Sequence, residues 1–293
     1  MTDISLWPSD SRLVALGQSC EVVLVKQGRK EPEEPGYISE TVDLTPRLAP
    51  MIADIFEDTH GVRLRSLADT EGTHPRHPWM RSRFSFVTQD NAALVECRNY
   101  SADEILNFSD PEEAIRIPPG DMAECIHQAA VYGVGKVWLA VLFGGQCYRD
   151  YEIDISDAIK DAWVQELAEV YGHIVSNSTP EPETPAQARL LWPMGGEQVL
   201  VATPEIERLC AEFKRVRGAV KELQTMGSQL KRMLMAAMRS HGEIVSPSGK
   251  SLATWKTPRD SRQFSESLLK SAMPHIHQQF MVDVPGVRNL RVK

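Results

Sequence analysis

The sequence predicts a mixed α/β fold of the α+β kind, with a central mixed sheet flanked by helices and a long-helix C-terminal extension. Two observations lead to this prediction. Over residues 45–175, amphipathic helical stretches and short β-forming runs follow one another in the order αβββαββα. A stretch rich in Pro and Glu at 176–187 then separates this part from a helical pattern over 205–239.

The helices are predicted from periodicity and from their end signals. Residues 1–30 have a helical pattern, and the charged, Pro-rich residues 29–36 read as a loop. A helix begins at Thr45, because Pro46 suits a first turn, and ends near His60-Gly61. Its apolar residues have the three-four spacing of an amphipathic helix: Leu48, Met51, Ile52, Ile55 and Phe56. Two further helices are expected, one after Pro118-Pro119-Gly120 and one over residues 158–175.

The β-forming runs are short and bounded by turn residues, which is typical of hairpins. A first strand is predicted over residues 62–67. Two hairpins follow, the first turning at Gln89-Asp90-Asn91 and the second at Gly144-Gly145. Their predicted strands are 83–88 with 92–98, and 136–143 with 146–153.

The chain is expected to divide into a core domain over 1–175, a linker over 176–204 and an extension over 205–293. The apolar residues of the 205–239 helix follow a three-four spacing, which fits either a core stripe or a coiled-coil seam. After it come predicted strands at 243–245 and 252–256, a turn rich in Ser and Arg, a short helix and a terminal strand.

Composition is that of an ordinary globular protein, with 42 % hydrophobic and 25 % charged residues. No apolar run reaches the length of a membrane span, and the first residues do not resemble a signal peptide, so a cytoplasmic protein is expected. The five cysteines form no CxxC pair, and ordinary reduced thiols are therefore expected rather than a zinc site.

Charge is distributed unevenly. Residues 201–293 hold 16 Lys and Arg against 8 Asp and Glu, a net of +8, while the other 200 residues have a net of −16. A basic extension suits contact with a polyanion such as DNA. Packing of the extension on the acidic part of the chain, or on a protein partner, explains the asymmetry equally well.

Two pairs of polar residues are candidates for a site. Glu96 and Arg98 are two residues apart on a predicted strand, so they project from one face, as many solvated pairs also do. Glu124 and His127 are three residues apart on a predicted helix and lie on one side of it. A hydrogen-bonded polar pair on a half-buried helix is the simpler interpretation of the second pair.

These residues lie within short motifs that occur in a fixed order. The motifs of the first part are 47–50 (RLAP), 77–81 (HPWMR), 96–98 (ECR), 124–128 (ECIHQ) and 137–145 (VWLAVLFGG). Those of the extension are 254–257 (TWKT), 262–264 (RQF) and 290–293 (LRVK). In order and spacing the sequence resembles the phage-type recombination exonucleases, the YqaJ and lambda-exonuclease group of the PD-(D/E)xK nucleases. The resemblance spans nearly the whole chain.

The resemblance implies a restriction-endonuclease-like core and a site that holds one or two Mg²⁺ ions with carboxylate oxygens. It also implies departures at that site. Ala49 stands where the family has a helix Glu, Ser85 stands where it has a hairpin Asp, and Arg98 stands where it has Lys. Only Glu96 of the four positions is unchanged, so the resemblance implies a remnant catalytic site at Glu96 and Arg98.

Three functional hypotheses follow. In the first, the chain is a catalytically impaired homologue that binds DNA ends in recombination, through Arg81, Arg83, Lys256, Arg259 and Arg262. These basic residues are equally explained as solvated side chains. In the second, the chain is an active exonuclease whose Mg²⁺ or Mn²⁺ is held weakly by Glu96, Glu124 and His127. In the third, it is a protein-interaction or inhibitor module assembled through the 205–239 helix.

The resemblance also carries expectations about partners. The family is oligomeric and commonly works with a single-strand annealing protein, so a homo-oligomer, an annealing protein or an active nuclease are the implied protein partners. No cofactor is expected in the impaired form, and no membrane partner is expected.

Overall fold

The computed structural model describes residues 3–31, 44–109, 116–196, 198–283, 286 and 288–292. The predicted loop over 29–36 lies mostly outside the described residues, as does Lys293 of the last motif. The chain divides into two compact units, Met1–Trp192 and Pro193–Lys293. Among the described residues, every helix is too short or too polar to cross a lipid bilayer.

The first unit is built around a five-stranded mixed sheet. The described strands of the first unit are β1 (Leu64–Ser66), β2 (Glu71–Thr73), β3 (Arg81–Arg83), β4 (Phe86–Thr88), β5 (Leu94–Tyr100), β6 (Lys136–Phe143) and β7 (Cys147–Asp154). The order in the sheet is β1-β4-β5-β6-β7, while β2 and β3 form a separate two-stranded ladder. Among the described strands of this sheet, β5 and β6 pair in parallel, since a helix connects them, and the other neighbouring strands pair antiparallel.

Helices cover both faces of this sheet. They are α1 (Pro8–Ala15), α2 (Ser19–Lys26), α3 (Thr45–His60), α4 (Pro119–Tyr132), α5 (Asp157–Ser176) and α6 (Pro185–Leu191), with a 3₁₀ helix at Ala102–Asn107. The predicted mixed α+β core with a flanked central sheet is confirmed. Gly61 and Gly133 end α3 and α4 in the left-handed conformation that glycine adopts at low cost.

The alternation of side chains along β5 divides the core into two layers. Val95 and Cys97 point to the face that carries α3, where they pack with Ile52 and Phe56. Leu94 belongs to the larger cluster on the other face, which α4 and α5 cover. The residues of β5 that share the face of Leu94 therefore point toward α4.

The first predicted hairpin is correct at its turn and only partly correct in its first strand. Asn91 adopts a left-handed conformation (φ 58°) between β4 and β5, as the predicted turn requires. The predicted strand over 83–88 is interrupted, because Arg83 pairs with Glu71 in the separate ladder and pairing with β5 begins at Phe86. Between them Phe84 is buried, and the chain changes from one ladder to the other.

The second unit has a long helix, α7 (Pro204–Met238), followed by β8 (Glu243–Val245), β9 (Ser251–Thr254), α8 (Glu266–Ala272) and α9 (Pro274–Gln279). The predicted long helix and the two strands are present, and β8 pairs with β9. Thr203 caps α7, since its side chain accepts a hydrogen bond from the Ile206 N–H. The described residues at 288–292 contain no strand, so the terminal strand of the prediction is not formed there.

The segment predicted as a linker, 176–204, contains α6. Leu191 at the end of α6 is buried with Cys20 and Leu24 of α2, which fastens this helix to the first unit. The Pro- and Glu-rich composition that predicted a linker does not reveal this contact. The domain boundaries drawn from the sequence, 1–175, 176–204 and 205–293, stay a prediction.

Candidate functional site

A cavity of about 940 Å³ opens where α1, α3, α4 and β5 come together. Its volume is in the range of small-molecule and active-site clefts. Polar side chains from several elements line it, and they include Arg12, Ser85, Glu96, Arg98, Tyr100, Glu124 and Gln128.

A ladder of polar contacts joins β5 to α4 along one wall of this cavity. Every second residue of β5 faces α4. The residues of α4 that contact them are at positions i, i+3 and i+7, which lie on one side of the helix. Because β5 and α4 run in opposite directions, the first contacting residue of the strand meets the last contacting residue of the helix. The contacts are Gln128 Nε2 to Glu96 Oε2 at 2.9 Å, Arg98 Nη2 to Glu124 Oε2 at 2.7 Å, and Tyr100 OH to Asp121 Oδ1.

Arg98 is at the centre of the ladder. Its Nη1 lies 2.6 Å from Oε1 of Glu96, and its Nη2 lies 2.7 Å from Oε2 of Glu124. The three side chains are largely shielded from water, with 24 %, 7 % and 10 % of their surfaces exposed. The guanidinium is thus a fixed cation between two buried carboxylates, a geometry that suits its planar fork.

The ionisation of this group of residues follows from burial and charge. Burial opposes the charge of Arg98, but Glu96 and Glu124 outweigh it and raise the pKa of the guanidinium. Burial also raises the pKa of Glu124, although the nearby Arg98 and Arg12 favour its ionised form. Arg98 therefore cannot act as a proton acceptor, and its positive charge is permanent.

Arg12 extends the network from α1. Its Nη1 lies 3.0 Å from Oδ1 of Asp121 and 3.6 Å from Oε2 of Glu124. Gly120 allows this approach, because a Cβ at that position would lie 2.7 Å from Cγ of Arg12. Burial, and then Asp121, raise the pKa of Tyr100, so its hydroxyl stays protonated and donates to that carboxylate.

Ala49 and Ser85, at the two positions of the implied lost ligands, both lie at the cavity. Ala49 of α3 offers only a methyl group there. Ser85 Oγ donates a hydrogen bond to Oε2 of Glu96 at 2.9 Å, so the hydroxyl supports the carboxylate and carries no charge of its own. The structure thus gathers Ala49, Ser85, Glu96 and Arg98 at one place, and their catalytic role stays a prediction.

The side chains at the cavity do not fit a Mg²⁺ ion of the kind the resemblance implies. Both oxygens of Glu96 are engaged, Oε1 by Arg98 and Oε2 by Ser85 and Gln128. Oε2 of Glu124 is held by Arg98. In the part of the chain that the structure describes, no group of three His, Cys, Asp or Glu side chains is placed to hold a metal ion. A divalent ion here would have to displace a guanidinium that cannot lose its charge.

His127, the third residue of the predicted rearranged metal site, is turned away from this cluster. Its Nδ1 lies 2.6 Å from Oγ of Ser11 and its Nε2 lies 3.0 Å from the carbonyl oxygen of Arg81. The carbonyl requires a proton on Nε2, and burial keeps the ring neutral, so Nδ1 accepts from the serine hydroxyl. Complete burial lowers the pKa of His127 to about 3. The structure brings Glu96 and Glu124 together without His127, and metal binding by these residues stays a prediction.

Two of the predicted DNA-binding residues lie beside the cavity. Arg83 lines it, and both Arg81 and Arg83 lie over the ring of Trp7, with their guanidinium carbons 5.0 Å and 5.5 Å from its centre. Glu71 pairs with both arginines. The side chain of Arg83 is nevertheless 75 % exposed, which leaves it accessible to a ligand.

The other predicted DNA contacts belong to the second unit. Lys256 follows β9, and Arg259 and Arg262 lie in the irregular segment before α8. All three are exposed, as is Trp255 beside them.

Sequence reasoning missed several members of the network, namely Trp7, Arg12, Tyr100, Asp121 and Gln128. The spacing of Asp121, Glu124 and Gln128 on one predicted helix was a usable signal, since these three residues share a face. Arg12 had no such signal, because its partner is 109 residues away and the pairing depends on how α1 packs on α4.

No family model matches the sequence, and no curated protein matches it. Among solved structures, the chain is similar to an alkaline exonuclease from Laribacter hongkongensis at 12 % identity and a TM-score of 0.44, over 60 % of this chain and 90 % of that one. It is also similar to a phage-related exonuclease from Haemophilus somnus 129PT at 8 % identity and a TM-score of 0.39, over 55 % and 82 % of the two chains. Similarities at these values do not by themselves assign a family or an activity.

Proposed function

We propose that this chain is a DNA-binding, recombination-associated homologue of the phage-type exonucleases, with impaired catalysis. The observation that carries the proposal is the guanidinium of Arg98, which is fixed 2.6 Å from Glu96 and 2.7 Å from Glu124. The two carboxylates already have a permanent cation between them. The ordered motifs of the sequence, with Ala49 and Ser85 in place of two acidic ligands, support the same proposal.

The physical reason is a competition between cations. Metal-dependent cutting needs an ion that binds the attacking water and stabilises charge on the phosphate. Such an ion needs several anionic oxygens, and Ala49 and Ser85 supply none. The loss of a metal contribution of about 4 kcal/mol would slow cutting roughly a thousandfold.

DNA binding would use the basic residues at the cavity and in the extension. Arg83 lines the cavity and lies next to Arg81 and Trp7. An aromatic ring beside two guanidiniums is suited to stacking with a base and to contacts with its phosphates. Lys256, Arg259 and Arg262 would supply further phosphate contacts. On this proposal the chain acts on double-stranded ends in the cytoplasm, beside an annealing protein or an active nuclease.

Metal binding and cutting are tested on one preparation. Mn²⁺ is titrated by calorimetry while the degradation of linear double-stranded DNA is followed, for the wild type, for Glu96→Ala and for the triple variant Ala49→Glu, Ser85→Asp, Arg98→Lys. We expect neither binding nor cutting in the wild type. We expect Mn²⁺ binding to appear in the triple variant, because it restores two carboxylates and removes the guanidinium. Mn²⁺-dependent cutting by the wild type that disappears in Glu96→Ala would overturn the impaired site.

DNA retention is tested separately by gel shift. Arg83→Glu should weaken binding to a linear duplex about tenfold, through the loss of a phosphate contact and the added repulsion. Arg63→Glu is the matched control, because its side chain is similarly exposed, at 79 %, but lines a different surface pocket. Equal binding by the wild type and both variants, or no binding by any of them, would reject the cavity as a DNA site.

A further inference from the structure

The long helix of the second unit has an apolar stripe that stays exposed. Seven of its large apolar residues have 44 % to 66 % of their surface accessible: Leu209, Phe213, Val216, Val220, Leu223, Leu230 and Leu234. The seven residues extend from position 209 to position 234 of this 35-residue helix, so the stripe is about 38 Å long. An apolar stripe of this length is typical of a surface that binds another molecule.

The stripe follows one heptad register along the helix, although Gly227 leaves one seam position without a side chain. Intervals of four and three residues alternate from Ile206 to Ala237, which places two positions of every heptad on one seam. The a positions are Ile206, Phe213, Val220, Gly227 and Leu234, and the d positions are Leu209, Val216, Leu223, Leu230 and Ala237. A repeat of 3.5 residues suits a second helix that winds around the first, whereas a helix lying on a globular core follows 3.6.

We propose that α7 forms a parallel two-stranded coiled coil with α7 of a second copy of this chain. The choice of two strands rests on the seam residues. Ile206 and Val220 are β-branched at a, and three of the five d positions are leucine, a combination that favours parallel dimers. This inference does not depend on the proposed DNA binding.

The charges beside the seam select the orientation. The g positions are Glu205, Glu212, Ala219, Met226 and Met233, and the e positions are Cys210, Arg217, Gln224, Lys231 and Met238. Charges at g are thus only acidic and charges at e are only basic. In a parallel pair, g of one helix meets e of the next heptad in the other, so Glu212 meets Arg217 of the second copy. An antiparallel pair brings g to g and e to e, and it forms no pair of opposite charges.

The first test measures the mass of the full chain by light scattering across a concentration series. We expect twice the 32.8 kDa of one chain, falling to one chain in Leu223→Asp. Thr225→Asp is the matched control, since it adds the same charge two residues away on the side opposite the seam and should leave the dimer intact. A circular dichroism spectrum checks that both variants retain their helices.

Orientation is tested by crosslinking. In a background of Cys147→Ser and Cys210→Ser, which removes the two exposed cysteines, Leu209→Cys is oxidised under mild conditions. A parallel pair puts the two introduced thiols in one layer, so a covalent dimer should form. In an antiparallel pair they would lie roughly 38 Å apart, and Leu209→Cys would crosslink only to chains carrying Leu234→Cys.

The charge pair is tested by exchange. Glu212→Arg or Arg217→Glu alone should raise the dimer Kd roughly fivefold, and the two together should restore it. Glu212 also pairs with Arg215 of its own helix at 2.6 Å, so recovery in the double variant is the informative result. A wild type that is monomeric at all concentrations, a dimer unaffected by Leu223→Asp, or crosslinking only between positions 209 and 234 would each overturn the proposal.

Discussion

At the scale of single residues, Arg98 changes the character of the site. A lysine or a metal ion between Glu96 and Glu124 could exchange or titrate, whereas the guanidinium can do neither. The consequence is a cluster whose ion pairs stabilise the packing of β5 on α4 and leave no base at that position. Stability and the proposed impairment of catalysis would then have the same structural cause.

Removal of this cation should destabilise the fold. Arg98→Met leaves two buried carboxylates facing each other, and we expect the free energy of unfolding to fall by about 3 kcal/mol at pH 7.5. The deficit should shrink as the pH falls toward 5, because the pKa of Glu124 is raised by burial and the neutral acid needs no partner. Urea denaturation at both pH values measures this, with Arg63→Met as the exposed control. A deficit that grows toward pH 5 would contradict the view that Arg98 stabilises the fold by compensating two ionised carboxylates.

His127 should make the first unit sensitive to acid. Its folded pKa, about 3, lies below the 6.5 of the unfolded chain, so the unfolded state binds the proton first as pH falls. Stability is therefore complete above pH 6.5 and is lost below it, by about 1.4 kcal/mol between pH 7.5 and pH 5.5.

The measurement is a pair of urea denaturation curves at pH 7.5 and pH 5.5, for the wild type and for His127→Gln. The glutamine variant cannot titrate, so its loss of stability between the two pH values should be smaller by that amount. The exposed His275→Gln is the control and should lose as much as the wild type. Equal losses in all three proteins would show that His127 is not the acid-sensitive group.

At the scale of elements, the sequence predicted the helices and hairpins whose limits depend on neighbouring residues in the chain. The limits of α3, α4, α5 and the β6–β7 hairpin follow from apolar periodicity and from Pro, Gly and Asn at the ends. The ladder of β2 with β3 was missed, since each strand has three residues and the pairing depends on Phe84 being buried between two ladders. The same limit applies to the site, where Glu96 and Arg98 could be placed on one face from the sequence but Arg12 could not.

The element with the most specific prediction is α7, because its seam has a defect. Gly227 occupies an a position, where it leaves a gap in the layer, and nothing lies within 4 Å of a Cβ built on it. Gly227→Leu should fill that layer and lower the dimer Kd about tenfold, because the leucine side chain is buried between the two helices.

Gly218→Leu provides the matched control for this prediction. Gly218 lies on the opposite side of the same helix, and a Cβ there is equally free of contacts. It should gain helix stability as Gly227→Leu does, but without any change in the dimer Kd. Sedimentation equilibrium of both variants separates the two effects. An equal gain in dimerisation by both would argue against the seam.

At the scale of the whole molecule, the distribution of charge can be read from the sequence, but the partner that each charged region binds cannot. The net of −16 over residues 1–200 opposes the approach of DNA to the first unit in general, so any contact there must be local, as at Arg81 and Arg83. The net of +8 over residues 201–293 has the opposite sign. Composition could not decide between DNA and a protein as the partner of the extension, since exposed basic side chains are suited to contacts with either one.

Salt dependence distinguishes these partners. If Lys256, Arg259 and Arg262 each contact a phosphate, each contact releases about one counterion, and the slope of log K against log salt should lose about 0.9 for every one removed. The triple alanine variant should therefore bind a linear duplex with a slope shallower by about 2.7. Alanine at Arg63, Arg76 and Lys136 removes the same charge from the first unit and should leave the slope unchanged. Slopes that fall equally in both triple variants would mean that net charge alone determines the binding. An unchanged slope in the triple alanine variant of the extension would mean that these three residues do not contact phosphates, and it would favour a protein as their partner.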